Sequence, residues 1–371
     1  MLQVDQTMKK KSQNNSALKV NKGVEQPSMV NPNMLKEVKN RFKKEPLSVE
    51  QYFNGIQQGD RAILSRAITL IESTRPEDKQ KAVKLINQCL PFSGNSLRIG
   101  ITGVPGVGKS TFIESFGLSL IEQEKKIAVL AIDPSSSRTK GSILGDKTRM
   151  EQLSINQNAF IRPSSSAGTL GGVARNTREA IVLCEAAGFD TILIETVGVG
   201  QSETAVAQMV DFFLLLMLAG GGDELQGIKR GIMEMADLIV INKADGDNRQ
   251  KAKLAKREYQ NALHLFPPAE NEWVPKVITA SGLTGEGLPE VIEKISFFLK
   301  KTKENRYFDY HRKQQLLSIL KETIGDTLSD RFYHHPMVKE KWGLFETMIL
   351  NGETTPYEAA DKLLEYYFKE L

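Results

Sequence analysis

Residues 103–111 read Gly-Val-Pro-Gly-Val-Gly-Lys-Ser-Thr, and their setting decides the fold. Gly103, Gly108, Lys109 and Ser110 fill the fixed positions of G-x-x-x-x-G-K-[ST], a phosphate-binding loop. Glycines let successive backbone N–H groups converge on phosphate oxygens with no Cβ in the way, and the following helix adds its positive dipole end. The whole run of Gly103, Val104, Pro105, Gly106, Val107, Gly108, Lys109, Ser110 and Thr111 is therefore the candidate phosphate cradle. Lys109 is placed to reach the outer phosphates, and the Ser110 hydroxyl to ligate Mg²⁺. Leu97–Ile101 reads as a buried strand ahead of the loop, and Thr111 to about Gln123 as a helix behind it. Strand, turn and helix in that order predict a nucleoside triphosphate site.

Outward from the loop, apolar strands are expected at 97–101, 127–132, 191–195, 212–218, 238–242 and 276–279, with helical or loop segments between them. That alternation predicts an α/β fold, a mainly parallel, doubly wound P-loop NTPase sheet covered on both faces. Such sheets bind ligands beyond the carboxyl ends of their strands. Helical extensions flank it. Tyr52, Phe53 and Ile56 share one helical face, and Ala62, Ile63, Ala67, Ile68 and Ile71 another. Thr74-Arg75-Pro76-Glu77 marks a break and a new helix start, and the prelude ends near Pro91. Past residue 302, Leu316, Leu317, Ile319, Leu320 and Ile324 form one stripe, and Thr355-Pro356 starts a last helix with Ala359, Leu363, Leu364 and Tyr367. The expected division is a disordered basic leader at 1–45, a helical region at 46–93, the nucleotide-binding domain at 94–300 and a helical region at 301–371.

The net charge of +4 is uneven. Residues 1–45 carry ten Lys/Arg against four Asp/Glu, a net of +6, which leaves residues 46–371 at −2. A near-neutral body argues against nucleic acid as a partner. Cys89 and Cys184 stand far apart in apolar contexts and imply neither a disulfide framework nor a metal site. His334-His335 before Pro336 reads as a helix-end turn. No apolar stretch is long enough for a membrane span, Phe212–Ala219 reads as a buried strand, and no signal core precedes it. A cytoplasmic protein is expected.

Asn242-Lys243-Ala244-Asp245 follows the strand Leu238–Ile241. The Asp245 carboxylate can accept hydrogen bonds from guanine N1–H and its exocyclic amine, a donor pair that adenine lacks, while the Lys243 stem can cover the base. Val277–Ala280 leads into Ser281-Gly282-Leu283, a turn expected to support the base through backbone N–H groups. The nucleotide expected is GTP or GDP. Glu195, in Glu195-Thr196-Val197-Gly198, stands where many GTPases have Asp; its carboxylate can hold Mg²⁺ or orient water. The Gly198 N–H can sense the γ-phosphate, and Gln201 can position water.

Asp133, opening Asp-Pro-Ser-Ser-Ser-Arg-Thr, and Asp146, in Gly-Asp-Lys-Thr-Arg-Met, are loop carboxylates suited to Mg²⁺ or its waters. A plain turn former before Pro134 and a helix cap are their structural alternatives. Gly220-Gly221-Gly222-Asp223 through Gly231 is either a mobile functional element or a flexible βα connection.

Taken together, these stretches resemble the MeaB/ArgK-type P-loop GTPases, the G-protein chaperones of methylmalonyl-CoA mutase (MMAA-like in animals). The likeness rests on 103–111, 133–139, 141–150, 195–203, 222–229 and 242–245, and it covers the chain from about residue 48. It implies a SIMIBI-class GTPase that hydrolyses GTP to GDP and phosphate, and a homodimer joined by its C-terminal helices. The implied partner is an adenosylcobalamin-dependent acyl-CoA mutase, such as methylmalonyl-CoA mutase, with cofactor delivery gated and the mutase protected. The resemblance further implies Ser110, Asp133, Asp146 and Glu195 around Mg²⁺, and a switch loop in which Asp223 and Lys229 couple mutase binding to hydrolysis. Lys140 departs from the small residue of many relatives, and the Lys-rich leader is not part of the pattern. No cis arginine stands out; Arg138, Arg149 and Arg178 are candidates. A GTP- or ATP-dependent kinase of a small molecule or transport protein is the alternative. A nickel-inserting GTPase ranks last for want of Cys/His ligands.

Overall fold

The computed structural model describes residues 47–132, 150–163, 170–196, 202–220, 230–267 and 270–369. The chain divides into two units, Met1–Leu47 and Ser48–Leu371, and every element named below belongs to the second. The leader, Asp133, Arg138, Asp146, Arg149, Gly198, Gln201, Asp223 and Lys229 lie outside the described residues.

Three helices come first: α1 (Val49–Gln57), α2 (Arg61–Ile71) and α3 (Pro76–Cys89). Each starts where its sequence supplies a cap. Ser48 and Gln51 form a reciprocal capping box, Asp60 accepts from two first-turn N–H groups, and Pro76 occupies a first-turn position. Their apolar faces meet around Ile56, Leu64, Ala67, Ile68 and Leu85, all nearly fully buried, and pack against α6 (Leu170–Ala186).

The sheet has seven parallel strands in the order β3-β2-β4-β1-β5-β6-β7. They are β1 (Leu97–Gly103), β2 (Ile127–Ile132), β3 (Ala159–Arg162), β4 (Thr191–Thr196), β5 (Phe212–Leu218), β6 (Leu238–Asn242) and β7 (Lys276–Thr279). The six expected strands are present; β3 is an addition, four residues at the edge. Connections run through α4 (Lys109–Ile121), α5 (Glu151–Ile155), α6, α7 (Ser202–Ala207), α8 (Arg230–Met235) and α9 (Arg249–Leu263). Because helices cover both faces, the central strands are continuous apolar runs, and β4 and β6 are buried at every residue. The chain builds outward from β1 to β2 and β3, then crosses back to β4 and on to β5. The reversal places a crevice at the carboxyl end of β1, where the loop 103–111 begins.

The amino ends of the strands, opposite that crevice, are tied by aspartates one residue ahead of a strand. Asp190 accepts from the N–H of Lys126, Asp211 from that of Arg98 and Asp237 from that of Phe213, at 3.1, 2.8 and 2.8 Å. Beyond the sheet come α10 (Leu288–Glu304), α11 (Tyr307–His334), α12 (Pro336–Leu350) and α13 (Pro356–Lys369). His334-His335 does form the turn between α11 and α12. A small second core of Val338, Phe345, Ala359, Leu363 and Tyr367 holds the last helices together. No helix among the described residues is long and apolar enough to cross a membrane. Cys89 and Cys184 are buried free thiols.

Candidate functional site: a phosphate loop beside a base-reading turn

β1 carries the chain straight into the loop. At Gly103 the backbone runs so close to β5 that a Cβ would lie 2.4 Å from the Leu216 carbonyl oxygen, so only glycine fits. Gly106 and Gly108 adopt left-handed backbone, with φ of 79° and 90°. Val107 is fully buried and pins the loop in the core, while Pro105, Gly106 and Thr111 face solvent. Gly108 leads directly into α4, so Lys109 and Ser110 start that helix.

Lys109 Nζ donates to the Gly103 and Val104 carbonyls at 2.8 and 3.4 Å. Burial pulls its pKa below the ordinary lysine value, and the Glu195 and Glu203 carboxylates oppose that shift. Ser110 Oγ lies 3.5 Å from Glu195 Oε1 at the end of β4. A hydroxyl and a carboxylate are hard oxygen donors only, which fits Mg²⁺. The buried Thr196 and Thr102 hydroxyls bond at 2.7 Å and fix β4 against β1 at this end.

The segments expected to read the base meet the same loop. Asn242, buried at the end of β6, donates through Nδ2 to the Val107 carbonyl at 2.8 Å and accepts from the Gly282 N–H at 3.0 Å. Lys243, in left-handed backbone with φ of 57°, donates to the Gly106 carbonyl at 2.8 Å. Ser281 Oγ, fully buried, donates to Asp245 Oδ2 and accepts from the Thr284 N–H at 3.1 Å. Asp245 thus keeps accepting capacity while its side chain is oriented. Gly282 presses onto α4: a Cβ there would meet the Phe112 Cα at 2.8 Å, and Ser115 Oγ donates to its carbonyl at 2.5 Å.

The sequence-selected residues on the described backbone therefore fall in one place: the loop 103–111, Glu195, Asn242, Lys243, Asp245 and the turn 281–283. Two details differ from the expected turn. The Ser281 and Gly282 N–H groups bond to Glu286 O and Asn242 Oδ1, so they hold the turn itself, and Leu283 stands exposed. Arg178 is engaged in an ion pair to Glu322 at 2.5 Å. Sequence reading missed Glu203, buried on α7, although it closes the stretch 195–203; only the helix's facing tells it apart from a solvent acid.

The family model described as methylmalonyl Co-A mutase-associated GTPase MeaB matches residues 64–337. A putative GTPase of Caulobacter vibrioides is 53% identical over 318 residues, 86% of this chain and 97% of its own length. The GTPase ArgK of Escherichia coli is 47% identical over 295 residues, 77% of this chain and 89% of its own. The mitochondrial methylmalonic aciduria type A homolog of Mus musculus is 46% identical over 334 residues, 87% of this chain and 80% of its own. Among solved structures, a LAO/AO transport system kinase aligns with a TM-score of 0.69 at 36% identity, over 92% of this chain and 99% of its own.

Proposed function

The chain belongs to the MeaB family of GTPases, and from that premise we propose that it times cofactor handling by an adenosylcobalamin-dependent acyl-CoA mutase. The observation that carries this reading is the family match over 64–337, whose description names a methylmalonyl-CoA mutase, supported by the likeness to the mouse homologue. GTP hydrolysis is the chemistry of the family; the client is the proposal.

The residues support specific roles. The N–H groups of 103–111 hold the phosphates, and Asp245 reads guanine, with Lys243 along its face. Mg²⁺, held through Ser110 and Glu195 with Asp133 and Asp146 contributing, neutralises charge on the phosphate oxygens when bound. Lys109 does the same from the protein side, and its partial desolvation strengthens that effect. Glu195 orients the attacking water, and the Gly198 N–H reports the γ-phosphate. Asp223 and Lys229 couple client binding to turnover.

The outward-facing leucines of α11 support a homodimer formed through the C-terminal helices. A cytoplasmic setting accords with the bacterial relatives. With no cis arginine standing out in the sequence, intrinsic hydrolysis is slow and waits for the client.

The test is steady-state GTP hydrolysis with and without cobalamin-dependent mutases from the same organism. Acceleration by one of them is expected, and no acceleration by any of them contradicts the reading. The kinase alternative draws on the LAO/AO transport system kinase likeness. It predicts a phosphorylated acceptor from labelled GTP in place of free phosphate.

A further inference from the structure

One short segment, Glu203–Asp211, runs from the neighbourhood of Lys109 to the helix α11. At its first end Glu203 is 1% exposed, on α7, the next described element after β4. Its charge acts on the Lys109 ammonium together with that of Glu195. In the middle, Val206 and Val210 press on β1: a Cβ at Gly100 would lie 2.9 Å from Val206 Cγ1 and 3.2 Å from Val210 Cγ2. Gly100 is three residues upstream of Gly103, on the strand that feeds the phosphate loop.

At the far end α11 grips the segment. Gln315 Nε2 donates to the Val210 carbonyl at 2.7 Å. Arg312 donates twice to the Asp211 carboxylate, at 2.7 Å each, and reaches the Gly94 and Ser96 carbonyls at 2.5 Å. Gln315 is the only buried residue among the 28 of α11, so the helix's hold on this edge is concentrated in two side chains. A planar guanidinium fork fixes orientation as well as distance.

We propose that Arg312 and Gln315 form a joint through which the nucleotide held at Lys109 sets the orientation of α11, and through which α11 acts back on nucleotide affinity. The proposal rests on the GTPase reading of the loop. A diphosphate and a triphosphate place different charge at Lys109, and Glu203 feels that difference inside a packed segment. Val206 and Val210 leave the segment no room to move alone, so a shift at Glu203 is passed to Val210 and Asp211. Coupling between two sites is reciprocal, so loosening the joint must change the preference for GTP over GDP.

The experiment uses the full chain, wild type, Gln315→Ala and Arg312→Lys, with GDP and with a non-hydrolysable GTP analogue. Affinities and amide hydrogen exchange across 307–315 are measured in each. In the wild type, exchange in 307–315 differs between the two nucleotides. In both variants that difference disappears, and the ratio of analogue to GDP affinity moves about fivefold or more. Gln315→Ala leaves the Arg312–Asp211 pair intact, so it decides the matter if Arg312→Lys fails to fold. Retention of the exchange difference, or of the affinity ratio within twofold, in Gln315→Ala overturns the joint. A wild type that binds both nucleotides without an exchange difference also overturns it. A wild type that binds neither overturns the GTPase reading as well.

Discussion

β5 is Phe-Phe-Leu-Leu-Leu-Met-Leu and buries its first six residues, whereas α11 carries Leu316, Leu317, Leu320, Ile324 and Leu328 and exposes more than half of each. The two segments draw on similar aliphatic side chains for opposite ends. A central parallel strand has a helix layer on each face, so every side chain finds a neighbour whichever way it points. A helix has one stripe per contact, and α11 spends its contact with the rest of the fold on Gln315 and Arg312 at the strand starts and on Glu322 against α6. Its leucines fall on the remaining stripe, which faces outward. Apolar composition alone therefore fixes burial in the sheet but not in α11, where a second surface is needed to cover it.

The contrast breaks most readily at Phe212, fully buried and edge-on to Phe298 at 5.0 Å. Phe212→Ala should cost about 3–5 kcal/mol in urea unfolding. A loss under about 1 kcal/mol would mean the sheet core is as forgiving as α11. Leu320→Glu should instead leave unfolding of the monomer within about 0.5 kcal/mol. It should weaken self-association about tenfold or more by sedimentation, which is about 1.4 kcal/mol. An unchanged dimer would remove the stripe from the interface.

Asp211 and Asp237, at the amino ends of β5 and β6, sharpen the same contrast. Asp211 has Arg312 as a partner, whereas burial pushes the Asp237 carboxyl up to about 7, a rise only partly offset by the Phe213 N–H. Although the residue as a whole keeps some exposed surface, its carboxyl is enclosed. The folded chain holds that proton up to about pH 7, and the unfolded chain releases it near 3.8, so the folded form binds more protons between those values. Stability must fall as pH rises through that window. Thermal unfolding of wild type against Asp237→Asn between pH 4 and 8 should show the wild type losing ground, by up to about 4 kcal/mol. A gap that stays flat with pH would contradict it. The smallest effect belongs to Arg249–Glu286, an ion pair across the base-reading turns that is more than half exposed at both ends. Arg249→Ala should change stability by less than about 1 kcal/mol and KM for GTP by a few-fold at most, more at low salt.

Much of this was legible from residue order, for physical reasons that differ from place to place. The loop 103–111 announces itself because glycine, lysine and serine are each required at a fixed spacing. Six strands were readable because continuous apolar runs bounded by polar turns have few other uses. Ala159–Arg162 was not, since four residues ending in arginine carry no periodicity. Among the site residues, Asn242 and Lys243 were legible as candidate base readers. Their bonds to Val107 and Gly106, which lock the two loops together, needed coordinates. Glu203, Arg312 and Gln315 were beyond sequence reading because each gains its meaning from partners far along the chain. An arginine on a helix reads as solvent-facing until the carboxylate it grips is placed beside it.

The reading of the crevice stands most directly on Asp245, and the measurement that tests it is the nucleotide selectivity of Asp245→Asn. On the proposed reading the carboxylate accepts from two guanine donors, so the variant should lose GTP affinity by roughly a hundredfold or more and gain affinity for xanthosine triphosphate, with the fold intact. GTP affinity unchanged in that variant would contradict the assignment of this turn as the reader of the base.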